Sequence, residues 1–295
     1  MKKKVLFIVN PKSGKGSIRS KLLDIVDIFV KAGFDLTLYI SQSAGDARAK
    51  AKEVEGKYEL VICSGGDGTL DEVISGMMEC EKRSAIGYIP CGSTNDFAHS
   101  LKIPTSMTKA AEHIAAWKEF PCDIGRFNDD YFVYIAAFGL FTDVSYETSQ
   151  DVKNVLGHLA YILEGMKKLT EIKSYPMKVE SEEMTLEGNF LFGMVTNSTS
   201  VGGFRNITGK HVHLDDGVFE VTLIKTPQNI LELNEIIQAV IAGKSENNKY
   251  FYQFRSKAVK FISDDPVAWT LDGEFGGYHE VVDVKNDKQA LSLLV

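Results

Sequence analysis

The sequence predicts an α/β protein of two domains, the second of which is mainly β. Along residues 4–120, short apolar runs alternate with segments whose apolar residues recur at helical spacing, which is typical of a largely parallel sheet. From about residue 125, runs of strand type follow one another with turn residues between them, which indicates a sandwich or an open barrel. The length of 295 residues suits two domains of ordinary size.

The first half contains four predicted strands, each followed by a predicted helix. In the first helical segment, residues 17–32, Leu22, Ile25 and Phe29 share one face, and Gly33 can end the helix. The predicted strands are KVLFIVN, DLTLYI, YELVICS and SAIGYIP, and the later predicted helices are GDARAKAKEVE, LDEVISGMM and MTKAAEHIAAWKEF.

The second half contains six predicted strands and two predicted helices, the latter at about residues 144–170 and 228–242. The strands are DYFVYIAAFG, NFLFGMVTN, GVFEVTLI, AVKFIS, VAWTLDGE and HEVVDV. Since no low-complexity linker separates the halves, we place the domains at 1–124 and 125–295, with the last strand free to pack back on the first domain. A tight boundary of this kind favours a ligand cleft between domains.

Composition narrows the class of protein. A hydrophobic fraction of 44% and a charged fraction of 25% are those of a soluble globular protein. No apolar run approaches the roughly 18 residues of a membrane span, and the start MKKKVLFIVN lacks a signal-peptide cleavage site. A net charge of −7 argues against nucleic acid as the main partner, because phosphate neutralisation needs a basic face. The cysteines have no metal-type spacing and indicate reduced thiols of a cytoplasmic protein: Cys63, Cys80, Cys91 and Cys122.

Glycine-rich segments follow three of the four strands predicted in the first domain. They are NPKSGKG at 10–16, SGGDGT at 64–69 and PCGSTND at 90–96. Ligands of open α/β sheets bind beyond the carboxyl ends of the strands, and backbone N–H groups near glycine make a cradle for phosphate. One such loop can be an ordinary tight turn, but three at one sheet edge indicate a phosphate-bearing ligand.

Two familiar nucleotide motifs are absent. In the P-loop pattern a Ser or Thr follows the Lys, whereas Gly16 follows Lys15 here, and AGKS at 242–245 lacks the first glycine of that pattern. GGDGTLDE lacks the third glycine of the dinucleotide fingerprint G-x-G-x-x-G. The glycine-rich loops therefore belong to neither of these nucleotide-binding classes.

Four blocks resemble the signature blocks of the diacylglycerol kinase catalytic-domain family, which includes bacterial soluble lipid kinases and is related to sphingosine kinases. The blocks are Asn10–Gly14, Gly65–Glu72, Gly92–Ala98 and Leu271–Glu274. The resemblance implies a Rossmann-like α/β nucleotide-binding domain, a C-terminal mainly β sandwich domain and an active site in the interdomain cleft. It also implies an ATP-dependent lipid kinase of phospholipid biosynthesis, which transfers the γ-phosphate of ATP to a membrane lipid hydroxyl. Diacylglycerol is the expected acceptor, and phosphatidic acid the expected product.

The same resemblance assigns ATP to the glycine-rich loops. Asp71 and Ser93 stand where the family usually has Asn and Thr, and neither change removes a needed group. The residues implied in holding the nucleotide are Asn10, Pro11, Lys12, Ser13, Gly14, Ser41, Gly65, Gly66, Asp67, Gly68, Thr69, Leu70, Asp71, Glu72 and Ser93.

Carboxylates are implied in the chemistry. Asp67, which the resemblance also counts as catalytic, forms with Asp96 and Asp123 the expected network around the nucleotide's Mg²⁺, an ion that prefers oxygen ligands. By residue type alone, Asp96 also fits a helix N-cap and Asp123 a turn. Glu274 is implied as the base that takes the proton from the lipid hydroxyl, and Asp272 as a catalytic neighbour. The alternative for LDGE is a plain hairpin turn.

The acidic segment HVHLDDGVFEV, residues 211–221, fits a hairpin. The resemblance implies a structural Mg²⁺ here, bound by the Asp216 carboxylate and by the backbone carbonyls of His213 and Val218. Zinc is disfavoured, because no third ligand joins His211 and His213 at a useful spacing.

The expected partners are a membrane lipid with a free hydroxyl and, transiently, a membrane surface, with no nucleic acid. The expected location is the cytoplasm, peripheral at the inner face of the membrane. The stretch 151–170 has an apolar face that fits either the domain core or that surface. The sequence leaves open the particular lipid alcohol and the oligomeric state, for which a homodimer is one option.

Two other functions compete with a lipid kinase. A soluble-metabolite kinase of the NAD-kinase type is one, because GGDGT also occurs in NAD kinases, and a non-enzymatic nucleotide sensor is the other. The NPxSG block and the STNDFA context favour the lipid family. Retention of Asp67, Asp96 and Glu274 argues against a sensor, which needs no base.

Overall fold

The computed structural model describes residues 2–92, 95–139, 172–198, 200–201, 204–205, 212–242 and 248–295. Contacts divide the chain into a first unit, Met1–Ile124 with Gln289–Val295, and a second unit, Gly125–Lys288. The last seven residues thus count with the first unit; the sequence-based division placed them in the second domain but left the last strand free to pack back on the first. The chain passes between the units within two strands and not through a linker.

The first unit is an α/β layer. Its strands are β1 (Lys3–Val9), β2 (Phe34–Ile40), β3 (Leu60–Gly65) and β4 (Ala85–Pro90). Its helices are a 3-10 helix (Ser13–Ser20), α1 (Leu22–Lys31), α2 (Asp46–Glu53), α3 (Asp67–Met78), α4 (Asp96–Ser100) and α5 (Met107–Ala115).

The strands of the first unit lie in the order β2-β1-β3-β4, and all neighbours are parallel. Leu293 and Leu294, near the chain end, add a parallel segment beside β4. Helices α1 and α5 pack together, as do α2 and α3. Because β1 connects outward to β2 while β3 connects outward to β4, the strand order reverses between β1 and β3. Ligands of open sheets bind beside the carboxyl ends at such a reversal.

Burial explains why these segments become strands and helices. Residues Val5–Val9 of β1 are buried on both faces of the sheet, as expected for a central parallel strand. The ring of Phe29 in α1 packs edge-on against Phe7 at 5.9 Å and stacks on Phe34 at 5.8 Å. Truncating a fully buried aromatic such as Phe29 to alanine costs about 3–5 kcal/mol.

The second unit is β-rich. Its strands are β5 (Glu119–Phe127, shared with the first unit), β6 (Asp130–Phe132), β7 (Ile135–Gly139), β8 (Tyr175–Ser181), β9 (Thr185–Thr196), β10 (Ser200–Val201), β11 (Phe204–Arg205), β12 (Phe219–Lys225), β13 (Phe251–Ser256), β14 (Ala258–Leu271) and β15 (Glu274–Leu294, shared with the first unit). One helix, α6, spans Ile230–Ile241.

The strands of the second unit pair in the order β13-β12-β9-β7-β14-β15, all antiparallel. Strand β8 pairs with both β9 and β14, so the sheet folds over its own core. At the centre of that core, Trp269 lies 4.9 Å from Phe138 and 5.0 Å from Phe261, measured between ring centroids. This aromatic cluster forms the centre of the hydrophobic core of the unit.

The predicted architecture of an α/β domain followed by a β-rich domain is confirmed. Several details differ. AVKFIS and VAWTLDGE form one strand, β14, with a break in pairing register between Ile262 and Val267, and DYFVYIAAFG is divided into β6 and β7. The predictions included no counterpart for β5, β8, β10, β11 and β13, and the predicted helix MTKAAEHIAAWKEF ends at Ala115, before β5 begins at Glu119. The predicted helix at 144–170 and the stretch 151–170 lie outside the described residues. Within the described part, no helix is long and apolar enough to cross a membrane.

Candidate active site

Three loops meet at the carboxyl ends of β1, β3 and β4. Asn10, directly after β1, donates its backbone N–H to the Ser64 carbonyl at 2.9 Å and its side-chain amide to Thr69 Oγ1 at 2.9 Å. The backbone N–H of Cys91, directly after β4, donates to the Gly65 carbonyl at 2.9 Å. The first and third glycine-rich segments are therefore both fastened to the second one.

Glycine is required here for close backbone approach. A Cβ at Gly14 would lie 1.7 Å from the carbonyl oxygen of Cys91. A Cβ at Gly92 would lie 2.6 Å from the Cα of Gly66, and one at Gly66 would lie 3.3 Å from the Cα of Gly92. The loops thus touch backbone to backbone, and a side chain at these glycines would push them apart.

Asp67 stands where α3 begins, with Gly66 as the N-cap residue. Its Oδ2 accepts the backbone N–H of Asp96, the first residue of α4, at 3.3 Å. The carboxylate thus connects the second loop to the third, and its charge lies at the positive end of the α3 dipole.

Asn95 shapes the third loop. It adopts a left-handed conformation with φ of 53°, accepts the Gly92 N–H at 2.9 Å and returns its amide to the Gly92 carbonyl at 2.9 Å. The Tyr88 hydroxyl donates to Asn95 Oδ1 at 3.2 Å. Burial, and secondarily the charge of Asp67, raises the pKa of Tyr88 well above its ordinary value, so this hydroxyl stays a donor.

The LDGE block is a two-residue hairpin that joins β14 to β15. Asp272 and Gly273 have φ of 50° and 88°, and Leu271 pairs with Glu274 across the turn, as in a type I′ hairpin. Asp272 is only 4% exposed. Glu274, by contrast, is exposed, and none of the described residues forms a hydrogen bond with the Glu274 carboxylate.

The Asp272 carboxylate lies against three consecutive backbone amides. Oδ2 accepts the N–H of Val133 at 2.5 Å, and Oδ1 accepts those of Tyr134 and Ile135 at 2.9 Å each. The Asp272 N–H donates to the Ile135 carbonyl at 2.9 Å. Both oxygens accept hydrogen bonds from the backbone, and the catalytic role of Asp272 stays a prediction.

Comparison with known proteins identifies the family. The diacylglycerol kinase catalytic domain matches residues 4–127, and the YegS C-terminal NAD kinase beta sandwich-like domain matches residues 137–295. A diacylglycerol kinase from Staphylococcus carnosus (strain TM300) is 35% identical over 279 residues, which are 94% of this chain and 90% of the relative. One from Bacillus subtilis (strain 168) is 33% identical over 277 residues, 93% and 91% of the two chains.

The chain belongs to the diacylglycerol kinase catalytic-domain family. The crystal structure of a protein from Bacillus anthracis str. Sterne superposes on this chain with a TM-score of 0.86. The two proteins are 24% identical, and the superposition covers 99% of this chain and 97% of the other. At that identity the superposition supports the fold alone. The family resemblance predicted from the four blocks is thereby confirmed.

Glu72, which is predicted to contact the nucleotide, also accepts two hydrogen bonds from a neighbouring helix. Its two carboxylate oxygens accept the backbone N–H groups of Gly45 at 2.9 Å and Ala47 at 3.0 Å, at the start of α2. Glu72 is thus an N-terminal cap for a neighbouring helix, which has no capping side chain at its own N-cap, Gly45.

The other predicted nucleotide residues are placed in different ways. Ser41 is buried and donates its hydroxyl to the Val9 carbonyl at 3.4 Å, beside the end of β1. Lys12 donates its backbone N–H to Asn10 Oδ1 at 3.0 Å. Ser93 and Thr94 lie outside the described residues, so the role of Ser93 stays a prediction.

The three predicted Mg²⁺ carboxylates are only partly brought together. Asp67 and Asp96 are linked as described, whereas Asp123 is fully buried on β5 and accepts the Gln289 N–H at 2.7 Å. Across the residues that the structure describes, no group of three or more His, Cys, Asp or Glu side chains is arranged to hold a metal. Mg²⁺ keeps several waters and binds through one or two carboxylates together with substrate phosphates, so Asp67 beside the glycine-rich loops fits that donor chemistry.

At the predicted structural Mg²⁺ site, the Asp216 carboxylate is paired with an arginine. Asp216 Oδ1 accepts the backbone N–H of Val218 at 3.1 Å, and Oδ2 accepts the Arg255 guanidinium. The same guanidinium binds Glu220 Oε1 at 3.1 Å. Both Asp216 oxygens thus have protein donors, and a structural Mg²⁺ held with the carbonyls of His213 and Val218 stays a prediction.

Three contact residues had no signal in the sequence. Tyr88, Tyr134 and Arg255 are ordinary members of strand-type segments, and each acts on a partner that is distant in the chain or across a turn. The cysteines behave as expected, since none forms a disulfide and all four are buried. The structure also contains a cavity of about 490 Å³ in the second unit, lined by Lys225, Tyr250 and Tyr252 among others, and none of the motif residues line it.

Proposed function

We propose that this protein is an ATP-dependent kinase that phosphorylates the free hydroxyl of a membrane lipid, with diacylglycerol as acceptor and phosphatidic acid as product. The observation that carries the proposal is the match to relatives named diacylglycerol kinase over more than 90% of this chain and about 90% of theirs. The four signature blocks lie within the residues that the two family domains match, and the first three meet at one sheet edge.

The glycine-rich loops are the proposed nucleotide site. Phosphoryl transfer depends on positioning and on neutralising charge, and backbone groups can approach phosphate oxygens only where side chains are absent. Gly14, Gly66 and Gly92 meet that condition, because their loops already touch backbone to backbone. Asp67 is the proposed ligand of the Mg²⁺ that accompanies ATP, with Asp96 and Asp123 contributing to the surrounding network.

Glu274 is the proposed general base. It is exposed at the start of β15, so a substrate hydroxyl can reach its carboxylate, unlike that of Asp272. General-base catalysis by a positioned carboxylate contributes about 10²- to 10⁴-fold to rate.

The following features stay predictions: the Rossmann-like and sandwich details of the fold, the interdomain active site, transient membrane contact, a peripheral location and a homodimer.

Labelled ATP with a panel of lipid alcohols in mixed micelles tests the proposal, with NAD as the soluble acceptor. We expect label in phosphatidic acid when diacylglycerol is present and none in NADP. Labelled NADP with every lipid unlabelled would support the metabolite kinase instead. ATP binding with no acceptor labelled would support the nucleotide sensor.

A further inference from the structure

The first inference concerns how the LDGE hairpin is held, and it rests on the proposed function. Three successive N–H groups, from Val133 to Ile135, converge on the Asp272 carboxylate. Successive backbone N–H groups of this kind form a concavity that binds anions. Here the anion is the Asp272 carboxylate of the protein itself. It attaches the hairpin to residues 133–135, which lie between the end of β6 and the start of β7.

Further bonds around Asp272 make the attachment rigid. The Tyr134 hydroxyl donates to the Asp272 carbonyl at 3.2 Å, and the Asp272 N–H donates to the Ile135 carbonyl. Strand β7 then continues alongside β14, where Leu271 pairs with Ala136. Every polar group of Asp272 is thus hydrogen-bonded to residues 133–135. Asp272 precedes Glu274 by two residues in the hairpin.

We propose that Asp272 and Tyr134 are positioning residues, which fix the hairpin so that Glu274 meets the lipid hydroxyl, and that neither exchanges a proton with substrate. Asp272→Asn would turn an amide N–H toward the N–H of Val133, so one of the three bonds becomes a clash of donors. The hairpin would loosen while Glu274 remains present, and a displacement of about 1 Å costs on the order of 10²-fold in rate.

Asp272→Asn and Tyr134→Phe are compared in the wild-type and Glu274→Gln backgrounds, by kcat, KM for Mg·ATP and the pH dependence of kcat/KM. We expect Asp272→Asn to lower kcat about 10- to 100-fold with KM for Mg·ATP unchanged. Tyr134→Phe should cause a smaller loss in the same direction. On the Glu274→Gln background neither change should lower kcat by more than about twofold, because both act through Glu274.

Three outcomes would overturn the proposal. Loss of the acidic limb of the pH profile in Asp272→Asn, with that limb retained in Glu274→Gln, would make Asp272 the base. Equal losses in both backgrounds would mean an effect independent of Glu274. A similar kcat loss in Val259→Ala, a cavity variant of the same core, would mean that general destabilisation is the cause. If the wild type labels no lipid alcohol, the proposed function fails before any variant is compared.

A second inference concerns Arg255, and different contacts carry it. The guanidinium lies between Asp216 and Glu220, whose side chains are 29% and 6% exposed, while its own is 46% exposed. Arginine suits this position, because its planar fork can serve two carboxylates at once. We infer that the Arg255 guanidinium is the resident cation of the acidic turn, residues 213–218, in place of a divalent ion.

Thermal melting without nucleotide, in EDTA and in excess MgCl₂, tests this inference. The wild-type Tm should be the same in both, and Arg255→Met should melt about 4–8 °C lower, because Asp216 and Glu220 lose their shared hydrogen-bond donor. Arg255→Lys should fall between them. The matched control is Arg126→Met, whose exposed pair with Asp287 at 2.7 Å should matter by less than about 2 °C.

A wild-type Tm that rises with Mg²⁺, and still rises in Asp67→Asn, would overturn the inference, since the ion would then act outside the proposed nucleotide site. Unchanged melting of Arg255→Met would also overturn it. The magnesium comparison on the wild type holds even if the Arg255→Met variant does not fold.

Discussion

The glycine-rich turn at Gly65–Thr69 and the LDGE hairpin both place a carboxylate beside glycine, but for different physical reasons. In the turn, glycine is needed because another backbone is in the way: a Cβ at Gly66 would lie 3.3 Å from the Cα of Gly92 and 3.5 Å from Ser13 Oγ. In the hairpin, the nearest atom to a Cβ at Gly273 would be 4.0 Å away, and the requirement is the φ of 88°. Gly66 thus leaves room for a neighbouring backbone, whereas Gly273 adopts the left-handed conformation that the turn requires.

Gly66→Val sharpens this comparison most. The branched side chain would separate the second and third loops, so we expect nucleotide binding to fall below detection in calorimetric titration. The matched substitution Gly273→Ala should cost about 1–2 kcal/mol of stability through its left-handed backbone and leave ATP affinity unchanged. Equal ATP affinity in both variants would contradict the assignment of the phosphates to the first region.

Glu274→Gln tests the other region. The change keeps the shape of the side chain and removes its ability to take a proton, so kcat should fall about 10²- to 10⁴-fold while the Kd for Mg·ATP stays the same. Glu280→Gln, on the exposed part of the same strand, is the control and should retain wild-type turnover. Near wild-type turnover of Glu274→Gln at saturating substrates would show that LDGE is a hairpin only.

Asp67→Asn separates charge from shape in the first region. Without the carboxylate the Mg²⁺ beside the phosphates loses its proposed ligand, and we expect kcat to fall about 10²-fold. ATP without Mg²⁺ should bind equally well or more tightly, because an anion near its phosphates has gone. Weaker binding of metal-free ATP would instead indicate that Asp67 is needed to hold the loop.

The smallest expected effect concerns a carboxylate outside both regions. Burial raises the pKa of Glu220 to about 7, despite the opposing charge of Arg255 and with a smaller contribution from Asp216. The folded protein therefore holds a proton that the unfolded chain releases near its ordinary pKa, so the free energy of unfolding should fall as pH rises between these values and then level off. The loss should be roughly 1–3 kcal/mol.

Urea unfolding of the wild type and Glu220→Gln at about pH 5 and about pH 8 measures this effect. The glutamine variant should lose the pH dependence over that window, and its pH–rate profile should match that of the wild type. An identical slope of stability with pH in both proteins would mean that another group is responsible.

Local pattern was a good guide where each residue's role depends on its chain neighbours. The parallel α/β order, the glycine-rich strand ends and the hairpin at LDGE were all predicted from short segments. Pattern failed where partners are distant: AVKFIS and VAWTLDGE form one strand because β15 pairs along both, and Glu72 caps a helix that begins about 25 residues earlier in the chain. Tertiary pairing overrides local turn signals in such cases.

The sequence by itself determined the family, the order of strands and helices, and the residue types available for holding phosphate and taking a proton. Only the tertiary structure decided which protein groups surround each carboxylate. Asp272, Asp216 and Glu72 look as suitable as Glu274 in the sequence, yet backbone amides or a guanidinium donate to their oxygens, whereas Glu274 is exposed. The physical reason is that a carboxylate's role is set by the donors around it, and those donors come from segments far away in the chain.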